Sequence, residues 1–285
     1  MKQIIFILLI TLNILTFTKE IPQRAISASQ FTTEILLSIG AQKQMIGTAF
    51  LDDQILPSLK KSYDEIPIIS KRAPSKEYFY SLNPDFLTGW KSITTPKYLG
   101  PLSELEENGI EVYIPNSQNT NKIEDIYVDI LEYGKIFGLE ANAQKVVDKM
   151  KKDLKDVAND KIKNPPMVFA YDSGVSTPMV VGNSGIGNTI ITMAGGNNIF
   201  KNLKGGFPLG SWEDIIANNP KYIIVIDYGD QSYESKIKFL KEDSPIKDLD
   251  AVKNNRFIKV GLSDMSSGVR VANTIKYLHS YFIQK

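Results

Sequence analysis

Short apolar runs alternate with amphipathic stretches along most of the chain, the pattern of strands followed by helices. Helical spacing of apolar residues predicts helices at Thr32–Ile39, Lys76–Leu82, Pro101–Asn108 and Trp212–Ala217, and a last one from about Val269 to Ile283. The apolar runs predict strands at Arg24–Ala28, Ile46–Thr48, Phe86–Gly89, Glu111–Ile114, Met167–Tyr171, Tyr222–Ile226 and Phe257–Val260. This alternation is typical of an α/β protein with mainly parallel sheets.

The middle of the chain shows only the helical period. In residues 122–162 apolar positions recur at helical spacing, and no strand pattern interrupts them. Gly134 and Gly138 are predicted to divide the stretch into two helices, the second from about Ala141 to Asp160. A helix of that length is a stiff connector between the segments on either side of it.

A repeated motif indicates that these two segments are built on one plan. Each copy has a serine suited to cap a helix, a glutamate in the first turn, an Asn-Pro pair and then an apolar strand. We therefore predict two Rossmann-like lobes, residues 19–120 and 163–285, joined by the long helix of a connector at residues 121–162, with a cleft between them. The copies are Ser75, Glu77 and Asn83-Pro84, and then Ser211, Glu213 and Asn219-Pro220.

The first eighteen residues predict export. Lys2 precedes an apolar run from Ile4 to Leu15, and Thr16-Phe17-Thr18 provides small residues at alternate positions before Lys19. This is the pattern of a cleaved signal peptide, residues 1–18, and the run is too short for a spanning helix. Without a cysteine after the run there is no usual site for lipid attachment. In a bacterium with two membranes the mature protein is therefore expected in the periplasm.

Composition excludes several classes of function. The 33 Lys and Arg balance 32 Asp and Glu, so electrostatic binding of nucleic acid is not expected. The chain has no cysteine, which excludes disulfides, thiolate metal sites and cysteine nucleophiles. With His279 as the only histidine, neither a multi-histidine metal site nor a Ser-His-Asp triad is expected. No metal site and no catalytic residue are predicted.

Aromatic side chains at predicted strand ends are candidates for ligand contact. Trp90 and Lys91 directly follow a strand, and Tyr171 ends another. In open parallel sheets ligands bind beyond the carboxyl ends of strands. Phe207, in a glycine-rich turn, is the comparable aromatic residue of the second lobe, and the two lobes would present aromatic groups across the cleft. Packing of these residues under a loop is the alternative interpretation.

Basic residues also cluster at predicted loop tips. Arg72 follows an apolar pair, and Arg270 follows a short loop that begins at Asp264. Arginine suits carboxylate, phosphate or catecholate oxygens. By contrast, the glycine-rich stretch Gly182–Gly187 lacks the lysine and the spacing of a phosphate-binding loop, and it predicts a turn before a helix.

These motifs together resemble the helical-backbone (class III) substrate-binding proteins of ABC importers for ferric siderophores, haem and cobalamin. The resemblance covers nearly all of the mature chain and rests on the order and spacing of the motifs, none of which is highly specific alone. They are the opening strand with Thr33-Glu34-Ile35-Leu36 and Gly40-Ala41, the segment from Glu77 to Leu87, Met193–Phe200, and Ser211–Ile215.

The resemblance implies a ligand held between two lobes with little hinge closure, and no catalysis. It places ligand contacts on Arg72, Trp90, Phe207 and the loop Asp264–Arg270. It places the carboxylates that dock on a symmetric permease dimer at Glu77 and Glu213, which agrees with the repeated motif because each half of the permease needs one acid. A diffusing carrier of this kind is expected to be a monomer.

The ligand class stays open between a ferric chelate, cobalamin and haem. Arg72 replaces an aromatic residue of the cobalamin binder, which favours an anionic iron chelate such as a tris-catecholate. Metal-ion binders of the same family need several histidine or carboxylate ligands. The single histidine of this chain therefore does not favour metal-ion binding. An exported two-domain α/β enzyme and an adhesin are alternatives from other classes, although the sequence shows no paired nucleophile and base.

Overall fold

The computed structural model describes residues 20–284, so the predicted signal peptide lies outside the described residues. The first lobe contains strands β1 (Ala25–Ala28), β2 (Met45–Ala49), β3 (Ile68–Ser70), β4 (Phe86–Gly89) and β5 (Glu111–Tyr113). These strands form one parallel sheet in the order β3-β2-β1-β4-β5. The helices of this lobe are α1 (Gln30–Ile39), α2 (Lys60–Tyr63), α3 (Lys76–Ser81) and α4 (Leu102–Glu107).

The connector consists of two helices that pack against each other. They are α5 (Ile123–Phe137) and α6 (Glu140–Asn159). Gly138 ends α5 in the left-handed region with φ 66°, as glycine commonly does. Gly134 does not break the helix as predicted. A Cβ at this position would lie 2.6 Å from the Cβ of Ala143, so the glycine allows α5 and α6 to approach closely.

The second lobe repeats the plan with an added antiparallel edge. Its strands β6 (Met167–Ser173), β8 (Asn197–Asn198), β9 (Tyr222–Asp227) and β10 (Phe257–Gly261) are parallel, while β7 (Met179–Val180) runs antiparallel to β6. The sheet order is β10-β9-β6-β7, with β8 also paired to β6. The helices are α7 (Ile186–Met193), α8 (Trp212–Asn218), α9 (Tyr233–Glu242), α10 (Asp250–Lys253) and α11 (Val271–Phe282).

Every strand and helix predicted above is present, with bounds that differ by at most two residues. The pattern did not predict β3, β7, β8, α2, α9 or α10. The predicted α/β class, two Rossmann-like lobes with mainly parallel sheets, is confirmed.

Helix α6 contacts both lobes along a single apolar stripe. It packs against α1 of the first lobe and α11 of the second. One continuous apolar cluster joins residues of both lobes through this helix, from Ile35 and Phe86 to Ile224 and Ile275. The lobes therefore share a core and are not free to move independently. The buried residues of the stripe are Ala143, Val147, Met150, Leu154 and Val157.

The repeated motif has the same backbone geometry in both lobes. The Ser75 hydroxyl accepts the Tyr78 N–H at 3.2 Å to begin α3, and the Ser211 hydroxyl accepts the Asp214 N–H at 3.1 Å to begin α8. After each helix an asparagine takes a left-handed conformation, Asn83 at φ 48° and Asn219 at φ 40°. Asparagine tolerates this region better than most residues, and proline then starts the approach to the next strand.

Candidate functional site

The cleft between the lobes is bordered by segments that follow strands of both sheets. These segments come after β4, β5 and β10, and they are joined by the start of α7 and the turn that carries Phe207. The cavity has a volume of about 370 Å³, within the range of roughly 300–1,000 Å³ that is usual for small-molecule sites. Ligands of open α/β sheets bind in crevices of this kind.

On the first-lobe wall, Trp90 and Lys91 line the cleft. The Trp90 ring lies 4.7 Å from the ring of Phe31, which fixes its orientation while leaving it half-buried. Gln118 supports the loop from behind, because its amide oxygen accepts the Lys91 N–H at 3.0 Å and its amide nitrogen donates to the Gly89 carbonyl at 3.1 Å. Among the described residues that line the cleft, Lys91 alone carries a charge.

The second-lobe wall contains Phe207 and the beginning of α7. Backbone hydrogen bonds from Gly182 to Gly206 at 3.1 Å and from Ser184 to Gly205 at 3.0 Å hold the Phe207 turn beside the helix start. Phe207 is 40% exposed. No side chain caps α7 at its N-cap Gly185, and residues 185–187 at the start of the helix line this end of the cleft.

The floor of the cleft is a loop in the second lobe, residues 262–267, which we call the serine loop. It contributes Leu262, Met265, Ser266 and Ser267 to the lining. The Ser267 hydroxyl donates to the Ser117 carbonyl of the first lobe at 2.9 Å, so the loop bridges the two lobes at the base of the cleft. The polar groups that this region offers to a ligand are uncharged.

Arg270 was expected to contact the ligand, but the structure places it in a buried ion-pair network. Its Nε donates to Glu34 at 2.7 Å, and its Nη2 donates to Glu34 at 2.5 Å and to the Gln54 carbonyl at 2.6 Å. Its Nη1 lies 3.2 Å from both Asp53 and Asp264. The guanidinium thus donates four hydrogen bonds within the protein and forms an ion pair with Asp53 as well.

This network explains why Arg270 and Asp264 lie outside the cleft lining. Arg270 is 7% exposed and does not line the cleft, while Asp264 accepts the Gly261 N–H at 2.7 Å in addition to its contact with Arg270. Burial alone would lower the pKa of Arg270, but the hydrogen bonds to Glu34 and the charges of Asp53 and Asp264 raise it, so the guanidinium stays charged.

Two other predicted contacts also lie outside the cleft lining. Tyr171 is 2% exposed, packs beside Trp212 and Phe239 in the core of the second lobe, and donates to the Gly174 carbonyl at 3.0 Å. Burial raises the pKa of its hydroxyl, as expected for a core tyrosine. Arg72 is exposed on the loop between β3 and α3. Of the residues predicted to contact ligand, the structure brings together Trp90, Lys91, Phe207 and part of the loop Asp264–Arg270, namely residues 265–267.

Glu77 and Glu213 occupy equivalent exposed positions in the two lobes. Each lies in the first turn of a short helix that begins near the carboxyl edge of its sheet, on α3 and α8. Each carboxylate accepts its own backbone N–H and a hydroxyl two residues earlier, from Ser75 or Ser211, and both contacts lower the pKa of the glutamate. Both side chains are therefore ionised at neutral pH and face solvent.

Within residues 20–284 the structure contains no cluster of three or more metal-ligating side chains. His279 lies on α11, where its ring nitrogens contact the Ala194 carbonyl at 3.0 Å and Asp160 at 3.2 Å. None of the helices in this part of the chain is long and apolar enough to cross a bilayer.

Two lobes with parallel sheets, linked through a long helix that contacts both, define the helical-backbone class of substrate-binding proteins. Residues 26–261 match the family model described as "Periplasmic binding protein", and the chain belongs to this family. A periplasmic binding protein from Veillonella parvula has a similar crystal structure, with a TM-score of 0.85 and 34% identity over 92% of both chains.

More distant similarities come from one solved structure and one relative matched by sequence. A structure described as a possible iron-binding, periplasmic solute-binding protein from Staphylococcus epidermidis aligns with a TM-score of 0.74 and 23% identity over 93% of this chain and 100% of that one. The vitamin B12-binding protein of Vibrio campbellii is 22% identical over 223 residues, which cover 78% of both chains.

The sequence did not indicate the roles of Gln118, Glu34 or Asp53. Their partners lie on other elements of the fold. By contrast, the lining residues Met265, Ser266 and Ser267 lie within the loop Asp264–Arg270, on which the resemblance places ligand contacts.

Proposed function

We propose that this protein captures a ferric siderophore complex in the interlobe cleft and delivers it to an ABC importer without changing it. The observation that carries the proposal is the cleft itself, which has an aromatic side chain on each wall, Trp90 and Phe207, and uncharged hydrogen-bonding groups between them. Such a surface suits a bulky chelate with an apolar exterior and a few exposed oxygen atoms.

The charge of the lining favours a chelate with a small net charge. Arg270 is paired with carboxylates and, like Arg72, lies outside the lining, so Lys91 is the cation that the described lining offers. Three catecholate dianions leave a large negative charge around Fe³⁺, whereas three hydroxamate anions neutralise it. A buried charge without a partner is costly, so one ammonium group fits the second chelate better than the first. This replaces the tris-catecholate preference drawn from the sequence.

Cobalamin is the alternative ligand, because a relative that is similar in sequence is a vitamin B12-binding protein. Haem is less favoured by the lining. Haem iron is usually held by His, Cys, Met or Tyr, and of these residue types only Met265, 3% exposed, borders the described cleft.

The proposal extends to export and docking. The apolar segment near the start directs the chain to the periplasm, where it acts as a monomer. Glu77 and Glu213 then bind basic patches on the two halves of a permease, since the paired helices present one ionised carboxylate per lobe in the same local geometry.

Calorimetric titration with four probes tests the ligand class: a ferric trihydroxamate, a ferric tris-catecholate, cyanocobalamin and haem. We expect the ferric trihydroxamate to bind. Phe207→Ala should weaken binding about tenfold. A tenfold change corresponds to about 1.4 kcal/mol of binding free energy, roughly half of what full burial of an aromatic side chain contributes. Leu209→Ala is the matched control, because this residue is exposed nearby but lies outside the lining. Absence of binding by all four probes, or equal effects of the two variants, contradicts the proposal.

A further inference from the structure

We propose that Arg270 is a positioning residue that fixes the width of the cleft by holding the serine loop against the first lobe. The proposal rests on the assigned binding role of the cleft, but Arg270 itself does not contact the ligand. Its partners Glu34, Asp53 and the Gln54 carbonyl belong to the first lobe, while Arg270 and Asp264 belong to the second.

A second link between the lobes passes through Asp53. One of its carboxylate oxygens accepts the Ser263 N–H at 2.9 Å, which ties the start of the serine loop to the first lobe. Gln30 holds Asp53 in place, because its amide nitrogen donates to the other carboxylate oxygen at 2.7 Å and its amide oxygen accepts the Asp53 N–H at 2.8 Å. Asp53 is thus oriented by Gln30 of the first lobe, and it binds Ser263 and Arg270 of the second lobe.

The network can set the position of the serine loop because it holds the chain on both sides of the lining residues, at Ser263 and at Arg270. Ser263 lies near the start of the loop, and Arg270 follows its end by three residues. Met265, Ser266 and Ser267, which line the cleft, lie between them. The positions of these lining groups relative to Trp90 on the first lobe therefore depend on the network.

The balance of charges makes the guanidinium difficult to replace. Arg270 faces the carboxylates of Glu34, Asp53 and Asp264, and the first two are mostly buried. Without the arginine these carboxylates repel one another and lack a cationic partner in a poorly solvated site. The shared apolar core keeps the lobes together, so we expect a change in their relative position and not their separation.

Spin labels can measure this position without any ligand. The chain has no cysteine, so Lys97→Cys in the first lobe and Lys204→Cys in the second, both exposed, give one unambiguous pair of labels. We expect one narrow distance distribution in the parent and a broader or shifted one in Arg270→Gln. Arg270→Lys, which keeps the charge but loses the forked geometry, should recover part of the parent distribution.

Two further variants separate positioning from general stability. Glu34→Gln keeps the arginine and the side-chain shape, so it serves if Arg270→Gln fails to fold, and it should broaden the distances as well. Leu240→Ala removes core volume within the second lobe, away from the interface, and should leave the distribution unchanged. A parent-like distribution in both Arg270→Gln and Glu34→Gln overturns the proposal, and so does an equal change in Leu240→Ala.

Ligand affinity provides the second readout. If the correct cleft is populated about a tenth of the time in Arg270→Gln, the affinity for a ferric trihydroxamate falls about tenfold. Unchanged affinity despite altered distances would overturn the link to binding. If the parent itself binds no chelate, the proposed function fails, while the distance measurement still decides whether Arg270 positions the lobes.

Discussion

Replacing Asp52 with asparagine should stabilise the protein at neutral pH. Asp52 lies in the segment of the first lobe that meets the second, where its carbonyl accepts the Gly229 N–H at 3.2 Å. Burial, and to a lesser extent the charge of Asp53, raise the pKa of the Asp52 carboxyl from 3.8 to about 6. The folded protein therefore binds a proton more tightly than the unfolded chain does.

The magnitude follows from this shift. A rise from 3.8 to about 6 corresponds to about 3 kcal/mol of unfavourable free energy when the carboxyl is ionised. Because Asp52 remains partly exposed, solvent screening reduces the figure to about 1–2 kcal/mol. Between the unfolded pKa of 3.8 and the folded pKa of about 6, the folded state binds more protons than the unfolded chain. The stability contributed by Asp52 is therefore fully present below the unfolded pKa, and it is lost as the pH rises through the folded pKa.

Urea unfolding at several pH values measures this effect. Asp52→Asn should exceed the parent in unfolding free energy by about 1–2 kcal/mol at neutral pH, and the gain should disappear below about pH 4. Asp230→Asn is the charge-matched control, since it removes an exposed carboxylate from the neighbouring turn and should change stability little. A gain that does not vary with pH, or an equal gain in the control, would refute the reasoning.

Three further predictions concern docking, helix packing and the repeated turn. Glu77→Gln with Glu213→Gln should abolish stimulation of the cognate importer's ATPase at unchanged ligand affinity, and weakened binding would contradict the docking role. Gly134→Val should lower the unfolding free energy by about 1–3 kcal/mol in urea titrations, because its side chain would overlap Ala143; no loss would mean that α5 and α6 separate easily. In thermal unfolding, Asn219→Ala should lower the unfolding free energy by about 1 kcal/mol and Asn219→Gly by much less, because glycine adopts the positive φ of this position more easily than alanine. Equal losses of unfolding free energy in the two variants would exclude a conformational cause.

The elements that could be predicted from the sequence are those with a buried face. Strands such as β4 and β9 are almost entirely buried, so their apolar runs are continuous. The strands β3, β7 and β8 have two or three residues each, and burial in them is mixed or partial. Short strands of this kind are held by backbone pairing, which leaves little trace in the pattern of side chains.

The site could be predicted only where it depends on local position. Trp90 lies in the cleft because it follows a strand end, and this relation is visible in the sequence. The role of Arg270 depends on Glu34, which lies on α1 at the other end of the chain. A spacing argument does not reveal which of many carboxylates a basic residue will meet, so the sequence suggested a ligand contact where the fold forms a lobe-to-lobe ion pair.

Tryptophan emission gives the most direct test of the central claim that the cleft binds the ligand. The chain has two tryptophans: Trp90 lines the cleft, whereas Trp212 is 5% exposed in the second lobe and donates to the Val175 carbonyl at 3.1 Å. Titration of a ferric trihydroxamate should quench the emission of Trp212→Phe, which retains Trp90, far more strongly than that of Trp90→Phe. Equal quenching of the two variants, or none in either, would contradict binding at the cleft.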